Sequence, residues 1–150
     1  MTTTTMSAVE ELTLTINEEI HVKATPEVVF EALLEQLGPG MMGREDRPMP
    51  LQIEAWPGGR WYRDLGDGNG HLWAHVQAIK RAELLEFYGP LMMSAAAVSN
   101  VQYRLSAVPG GTLIKFHHFA LGVVSSDFKL NITNGWKRIH ERVARHAEAR

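Results

Sequence analysis

The sequence predicts an α+β fold: a curved seven-stranded antiparallel sheet gripping a long C-terminal helix, in β-α-β6-α order. Three observations carry this reading. Seven short segments show the apolar and polar alternation of half-buried strands. Six of them follow one another through links of hairpin length, which makes chain neighbours antiparallel. In the last segment, Ile132, Trp136, Ile139 and Val143 recur at i, i+4, i+7 and i+11, one stripe of a helix. A single helix cannot bury such a stripe alone, and the sheet is the partner of sufficient area. One helix laid across one curved sheet leaves a gap, and gaps of this kind hold apolar ligands.

The elements follow in order. Leu12, Leu14, Ile16, Ile20 and Val22 alternate with polar residues in a long first strand. Glu18 falls on the apolar parity: a bulge or a strand-end position is the expected reason, and a carboxylate pointing inward is the alternative. Thr25-Pro26-Glu27 starts a helix, with a Thr cap, Pro in the first turn and an acid at the positive end of the dipole. Val29, Phe30, Leu33, Leu34 and Leu37 give it a buried side, and Gly38-Pro39-Gly40 ends it. Residues 41–50 are irregular, a short second helix or a flexible lip. Strands are expected at 51–56, 60–65, 71–79, 84–88, 99–107 and 112–119. They are separated by turn residues such as Pro57-Gly58-Gly59 and Pro109-Gly110-Gly111. Ser125 or Ser126 then caps the last helix, with Asp127 in its first turn.

Composition narrows the function classes. The 150 residues suffice for one domain, expected at 11–150 after a polar, Thr-rich tail at 1–10. The formal net charge of -2 gives no electrostatic case for nucleic acid. The absence of cysteine excludes a disulfide frame, a thiolate nucleophile and a Cys-based metal site. No run is long and apolar enough for membrane insertion, and residues 1–8 lack the features of a signal peptide. A cytoplasmic protein without cofactor is expected, with a homodimer as an open assembly state.

The order of elements is one mark of kinship. Others are Pro26-Glu27-Val28-Val29-Phe30, Pro57-Gly58-Gly59-Arg60-Trp61, Gly110-Gly111-Thr112 and Gly135-Trp136. On these marks, residues 12–147 resemble the START-like, helix-grip (SRPBCC) proteins. Among them the chain is most similar to the family related to the activator of the heat-shock chaperone ATPase. The resemblance implies a cavity between sheet and final helix. It also implies a range of roles that includes lipid or hormone carriers, polyketide cyclases and stress-response proteins; fold alone does not choose among them.

The residues themselves suggest a hydrophobic or aromatic small molecule as partner. Trp61, Trp73, Phe87, Tyr103 and Trp136 would supply rings to the cavity, and His75 or His118 a polar contact. Met41-Met42 and Met92-Met93 lie in irregular segments beside element ends. Flexible, polarizable side chains there suit a lip that admits ligand. For the hairpin at 60–79 two registers are open. One faces Trp61 with His75 and Arg63 with Trp73; a slip by one places Leu72, Ala74 and Val76 on that face instead. His71 and His75 lie about 13 Å apart along one strand, and His117 and His118 point to opposite faces. No metal site is therefore expected. No nucleophile constellation appears, so no catalytic residue is assigned. Two other functions use the same features. A cyclase or dehydratase would fold a substrate in the cavity and move a proton through His or Tyr. A chaperone-associated interaction module would use the outer sheet face or the basic side of the last helix, Lys137, Arg138, Arg142 and Arg145. Gly135 within that helix suggests close approach by a strand or ligand.

Overall fold

The computed structural model describes residues 12–150; the tail expected at 1–10 lies outside them. Seven strands form one antiparallel sheet: β1 (Thr13–Val22), β2 (Gln52–Ile53), β3 (Arg60–Gly66), β4 (Asn69–Lys80), β5 (Leu84–Gly89), β6 (Ala97–Val108) and β7 (Gly111–Gly122). Their spatial order is β1-β7-β6-β5-β4-β3-β2. The chain starts at one edge, crosses to the other, and returns strand by strand. Helix α1 (Pro26–Leu37) makes that crossing, and α2 (Ser126–Glu148) closes the chain. The two helices pack on each other, α1 reaching β6 and β7 and α2 reaching β1.

Both helix starts follow from local chemistry. Thr25 Oγ1 accepts from Val28 N–H at 3.4 Å, and Pro26 needs no donor in the first turn. Ser125 Oγ accepts from Phe128 N–H at 3.1 Å, with Asp127 in the first turn of α2. The buried side of α1 is Val29, Phe30, Ala32, Leu33 and Leu37.

The inner face of the sheet reads as rows of paired residues. One row is Val76, Phe87, Val101, His118 and Ile16; the next is Ile79, Leu85, Tyr103, Phe116 and Glu18. Glu18 is thus an inward residue of a regular strand. The β1–β7 register is continuous from Thr13 to Val22, so the bulge expected at Glu18 is absent and its carboxylate turns toward the core. The reason is a buried partner on α2, described below.

The hairpin of β3 and β4 adopts neither regular register. Trp61 pairs with Ala74 and Tyr62 with Leu72, which leaves Trp73 as the extra residue of a bulge. Trp73 is consequently buried beside Trp61, with ring centroids 5.2 Å apart, while Ala74 and Val76 are also buried. His75 instead pairs with Arg60 and stacks on Tyr88. A second irregularity follows between Val76 and Ala78, and such bulges add bend and twist to the sheet.

The strand expected at 51–56 is shorter, only Gln52–Ile53. Glu54 leaves the ladder to chelate Arg60, at 2.8 and 2.7 Å, and its carboxyl is held down to about 2 by that hydrogen-bonded guanidinium. The turn needs Gly59, since a Cβ there would lie 1.8 Å from the Glu54 carbonyl oxygen.

Trp61 links the outer strands to α1. It is fully buried, stacks on Phe87 at 4.6 Å, and its indole N–H donates to the Leu37 carbonyl at 2.8 Å. That carbonyl lies in the last turn of α1, where helical partners run out. Trp61→Phe, which keeps most of the ring and removes the donor, should cost about 1–3 kcal/mol. Trp61→Ala should cost about 3–5 kcal/mol. Urea unfolding of the two variants beside the parent chain measures both.

Candidate functional site

The gap between sheet and α2 is filled at its centre by rings. The stripe of α2 that turns inward is Ile132, Trp136, His140, Val143 and Ala147. Its midpoint is His140, with Ile139 half-buried to one side. Trp136 packs on Phe116 at 4.9 Å and stacks with His140 at 5.8 Å; Phe116 in turn meets Tyr103 at 4.9 Å.

Two hydrogen-bonded chains tie this ring cluster to the sheet. In the first, Trp136 Nε1–H donates to His118 Nδ1 at 2.9 Å. Nδ1 must therefore be bare, so Nε2 carries the proton and donates to Ser99 Oγ at 2.8 Å. Burial holds His118 well below the usual imidazole value, at about 4, and neighbouring His117 adds to the effect. In the second chain, His140 Nδ1 lies 2.5 Å from Glu18 Oε1 and Nε2 lies 2.9 Å from Tyr103 Oη. A neutral His140 satisfies both contacts: Nδ1–H donates to the carboxylate, and Nε2 accepts the phenol proton. Burial, and then the Glu18 charge, push the Tyr103 phenol well above its usual value, so it stays protonated.

Open space remains at one end of this cluster. A cleft of about 500 Å³ lies between α2, the 41–49 loop and the Trp73 bulge. Its walls are apolar, with Met41, Met49, Met92, Phe128 and Trp136 among them. Gly135 borders it on α2, and a Cβ added there would meet nothing within 4 Å. The glycine therefore serves no close packing; it leaves room. Trp73 also borders the cleft, is 5% exposed, and its indole N–H has no acceptor. An unpaired buried donor costs stability, about 1–3 kcal/mol, so its presence at a cleft wall calls for a reason. A depression on the outer strands differs in character. This one, of about 430 Å³ along β3 and β4, is lined mainly by polar and charged residues such as Arg60, Arg63, Asp64 and His71.

The structure divides the residues singled out from sequence. Met41, Met42, Trp73, Met92 and Trp136 meet at the cleft. Trp61, Phe87, Tyr103 and His118 are buried in the core, Met93 is buried beside the Pro90 turn, and none of these borders the cleft. His75 sits at the edge of the β3–β4 hairpin, its Nδ1 3.0 Å from the Gly58 carbonyl oxygen. The sequence reading missed Arg44 and assigned Arg138 and Arg142 to a protein-binding face of the last helix; all three line the cleft. That reading also missed the Glu18–His140 pair. The signal for that pair was present: an acid on the apolar parity of a strand, and a His one helical turn beyond Trp136. Among the described residues no group of three His, Cys, Asp or Glu side chains is placed to hold a metal ion.

The His118 chain makes stability depend on pH. The unfolded ring takes up a proton near its ordinary value of 6.5, whereas the folded ring refuses it until about pH 4. The unfolded state therefore binds more protons between those limits. The contribution is complete above about pH 6.5 and declines as pH falls to about 4, by on the order of 3 kcal/mol. Urea unfolding from pH 4.5 to 7 should show a steeper loss in the parent chain than in His118→Gln. Parallel curves for the two would remove His118 as the cause.

No known family profile matches the sequence, and no curated protein matches it. Solved structures do. An uncharacterised protein from Rhizobium leguminosarum is 20% identical, with a TM-score of 0.69 over 92% of this chain and 96% of that one. Ara h 8.0201 is 14% identical, with a TM-score of 0.69 over 92% of this chain and 99% of that one. The Aha1 dimer from Colwellia psychrerythraea is 18% identical, with a TM-score of 0.66 over 90% of this chain and 96% of that one. At these identities the likeness concerns architecture, and it agrees with the seven-stranded sheet and long final helix: the chain has the helix-grip, START-like fold.

Proposed function

We propose that this protein binds a largely apolar small molecule in the cleft between α2, the 41–49 loop and the Trp73 bulge. One observation carries the reading: an apolar cleft of about 500 Å³ bordered by a buried indole N–H without an acceptor. That volume lies within the roughly 300–1,000 Å³ usual for small-molecule sites, where apolar walls surround a few polar groups. A ligand oxygen would satisfy Trp73. The methionines suit a wall that adapts to its occupant. The ring cluster under α2 supplies the rigid floor.

Binding is favoured over turnover by the chemistry of the lining. It offers guanidinium groups, an Asn amide and indole, but no carboxylate, imidazole, phenol or hydroxyl to exchange a proton. Tyr103 and His140, a buried phenol and imidazole, are engaged with each other and, through His140, with Glu18. Membership of the family related to the heat-shock ATPase activator is part of this proposal, supported by the likeness to the Aha1 structure. So is a homodimer, since that neighbour is a dimer. A cytoplasmic location remains part of it too; among the described residues no helix is long and apolar enough to cross a membrane.

Native mass spectrometry of freshly purified protein, with denaturing extraction, should reveal a co-purifying small molecule. Gly135 gives a test that separates binding from folding. Gly135→Ala should raise stability by about 0.5–1 kcal/mol, because the helix gains propensity and the Cβ meets no neighbour. Gly135→Leu should keep a stable fold yet reduce the captured molecule sharply, because the larger side chain occupies the cleft. Unchanged capture by the Leu variant would place the ligand elsewhere.

A further inference from the structure

The rim of the cleft is basic although the chain as a whole carries a formal net charge of -2. Three arginines line it, Arg44, Arg138 and Arg142, and no acidic residue does. Arg138 and Arg142 are one helical turn apart and share a face of α2. Arg142 is hydrogen-bonded to Asp46, which spends its charge. That bond also ties the 44–46 turn to α2, and Arg44 of that turn borders the same cleft as Arg138. Among the described residues neither Arg44 nor Arg138 has a carboxylate partner; Glu45, the remaining acid of the turn, pairs with Arg47 instead.

The turn that presents Arg44 is held in an unfavourable backbone. Glu45 and Asp46 lie at φ of 57° and 54°, in the left-handed region that side chains other than Gly seldom enter. Consecutive strained residues persist where the surroundings fix them, and ligand clamps are one such place. Here Gly43 N–H donates to the Arg47 carbonyl at 2.7 Å and Arg47 N–H to the Arg44 carbonyl at 3.1 Å, and the Asp46–Arg142 bond adds a tie to α2.

We propose, resting on the binding reading above, that the ligand is an amphiphile with a single carboxylate. Its apolar body lies against Met41, Met92, Phe128 and Trp136, its carboxylate is received by Arg44 and Arg138 at the rim, and a neutral oxygen on the body accepts from the Trp73 indole N–H. Guanidinium groups match a carboxylate with two parallel N–H donors, and a carboxylate with an exposed rim keeps part of its hydration. The site thus selects by charge at the rim and by shape within. A neutral molecule of the same length would leave both guanidinium groups without a counter-ion.

Dodecanoate and dodecanol, titrated by calorimetry below their aggregation limits, test this with one tail and two heads. The acid should bind about tenfold tighter than the alcohol, the difference expected for a charge-assisted contact. The preference should shrink as salt is raised, because the rim is exposed. Arg44→Gln combined with Arg138→Gln should abolish the preference, so that acid and alcohol bind the variant equally. The replaced side chains are exposed, and a thermal melt checks that the variant is folded. Equal binding of acid and alcohol, abolished by Gly135→Leu, would overturn the carboxylate assignment and leave the cleft as a binding site. A preference for the acid that survives the double substitution would overturn the assignment to these arginines. No binding of either compound would sink both the assignment and the binding reading for single-tailed amphiphiles.

Discussion

The rotation of α2 about its own axis is set by two buried polar contacts, and most of the molecule's surface chemistry depends on it. A helix held only by apolar packing can roll by small angles at modest cost. One whose Trp136 N–H must meet His118, and whose His140 must meet both Glu18 and Tyr103, has far less freedom. Missing the first contact would strand the buried Trp136 donor, and missing the second would leave the buried His140 ring without its partners. With the helix so fixed, Gly135, Arg138 and Arg142 are turned toward the cleft together. The core polar groups and the cleft are therefore two sides of one arrangement.

Much of the architecture was legible in the sequence because strand and helix periods are strong local signals. The Thr25 and Ser125 caps, the hairpin turns and the stripe containing Trp136 all appear in the structure. The strand expected at 51–56 shrinks to Gln52–Ile53, and two further departures concern Glu18 and Trp73. Glu18 reads as a flaw in β1 unless its partner is known, and that partner lies 122 residues away on a helix. Trp73 reads as one member of an alternating strand, and no local signal marks it as the extra residue of a bulge. The site was only half legible for the same reason. Methionine pairs announce adaptable apolar surface wherever they occur. The arginines at 44, 138 and 142 look like ordinary solvated charge until the fold brings a loop and a helix face together.

The gap expected between sheet and final helix is filled at its centre. Tyr103, Phe116, Trp136 and His140 occupy the space between sheet and helix, and open volume is pushed toward the loop side. A packed centre gives the helix a rigid seat. A cleft at the margin, with its far wall on a loop, can change shape without disturbing that seat. The proposed ligand site thus draws on the less constrained part of the molecule while its floor belongs to the most constrained part.

The bulge at Trp73 has a consequence for how such a chain diversifies. Leu72 pairs with Tyr62 and Ala74 with Trp61, so the ladder would close without interruption if residue 73 were simply deleted. Ala74 and Val76 would keep their inward positions, and the hairpin would lose nothing it needs for its own pairing. Trp73 stands outside the β3–β4 ladder, while its carbonyl accepts from Leu91 N–H at 2.7 Å and ties the cleft's 90–93 segment to the bulge. Insertion or loss of one codon at this point would add or remove a wall of the cleft while the surrounding strands kept their phase. Shortening at this point would change what the protein can hold well before it changed what the protein is.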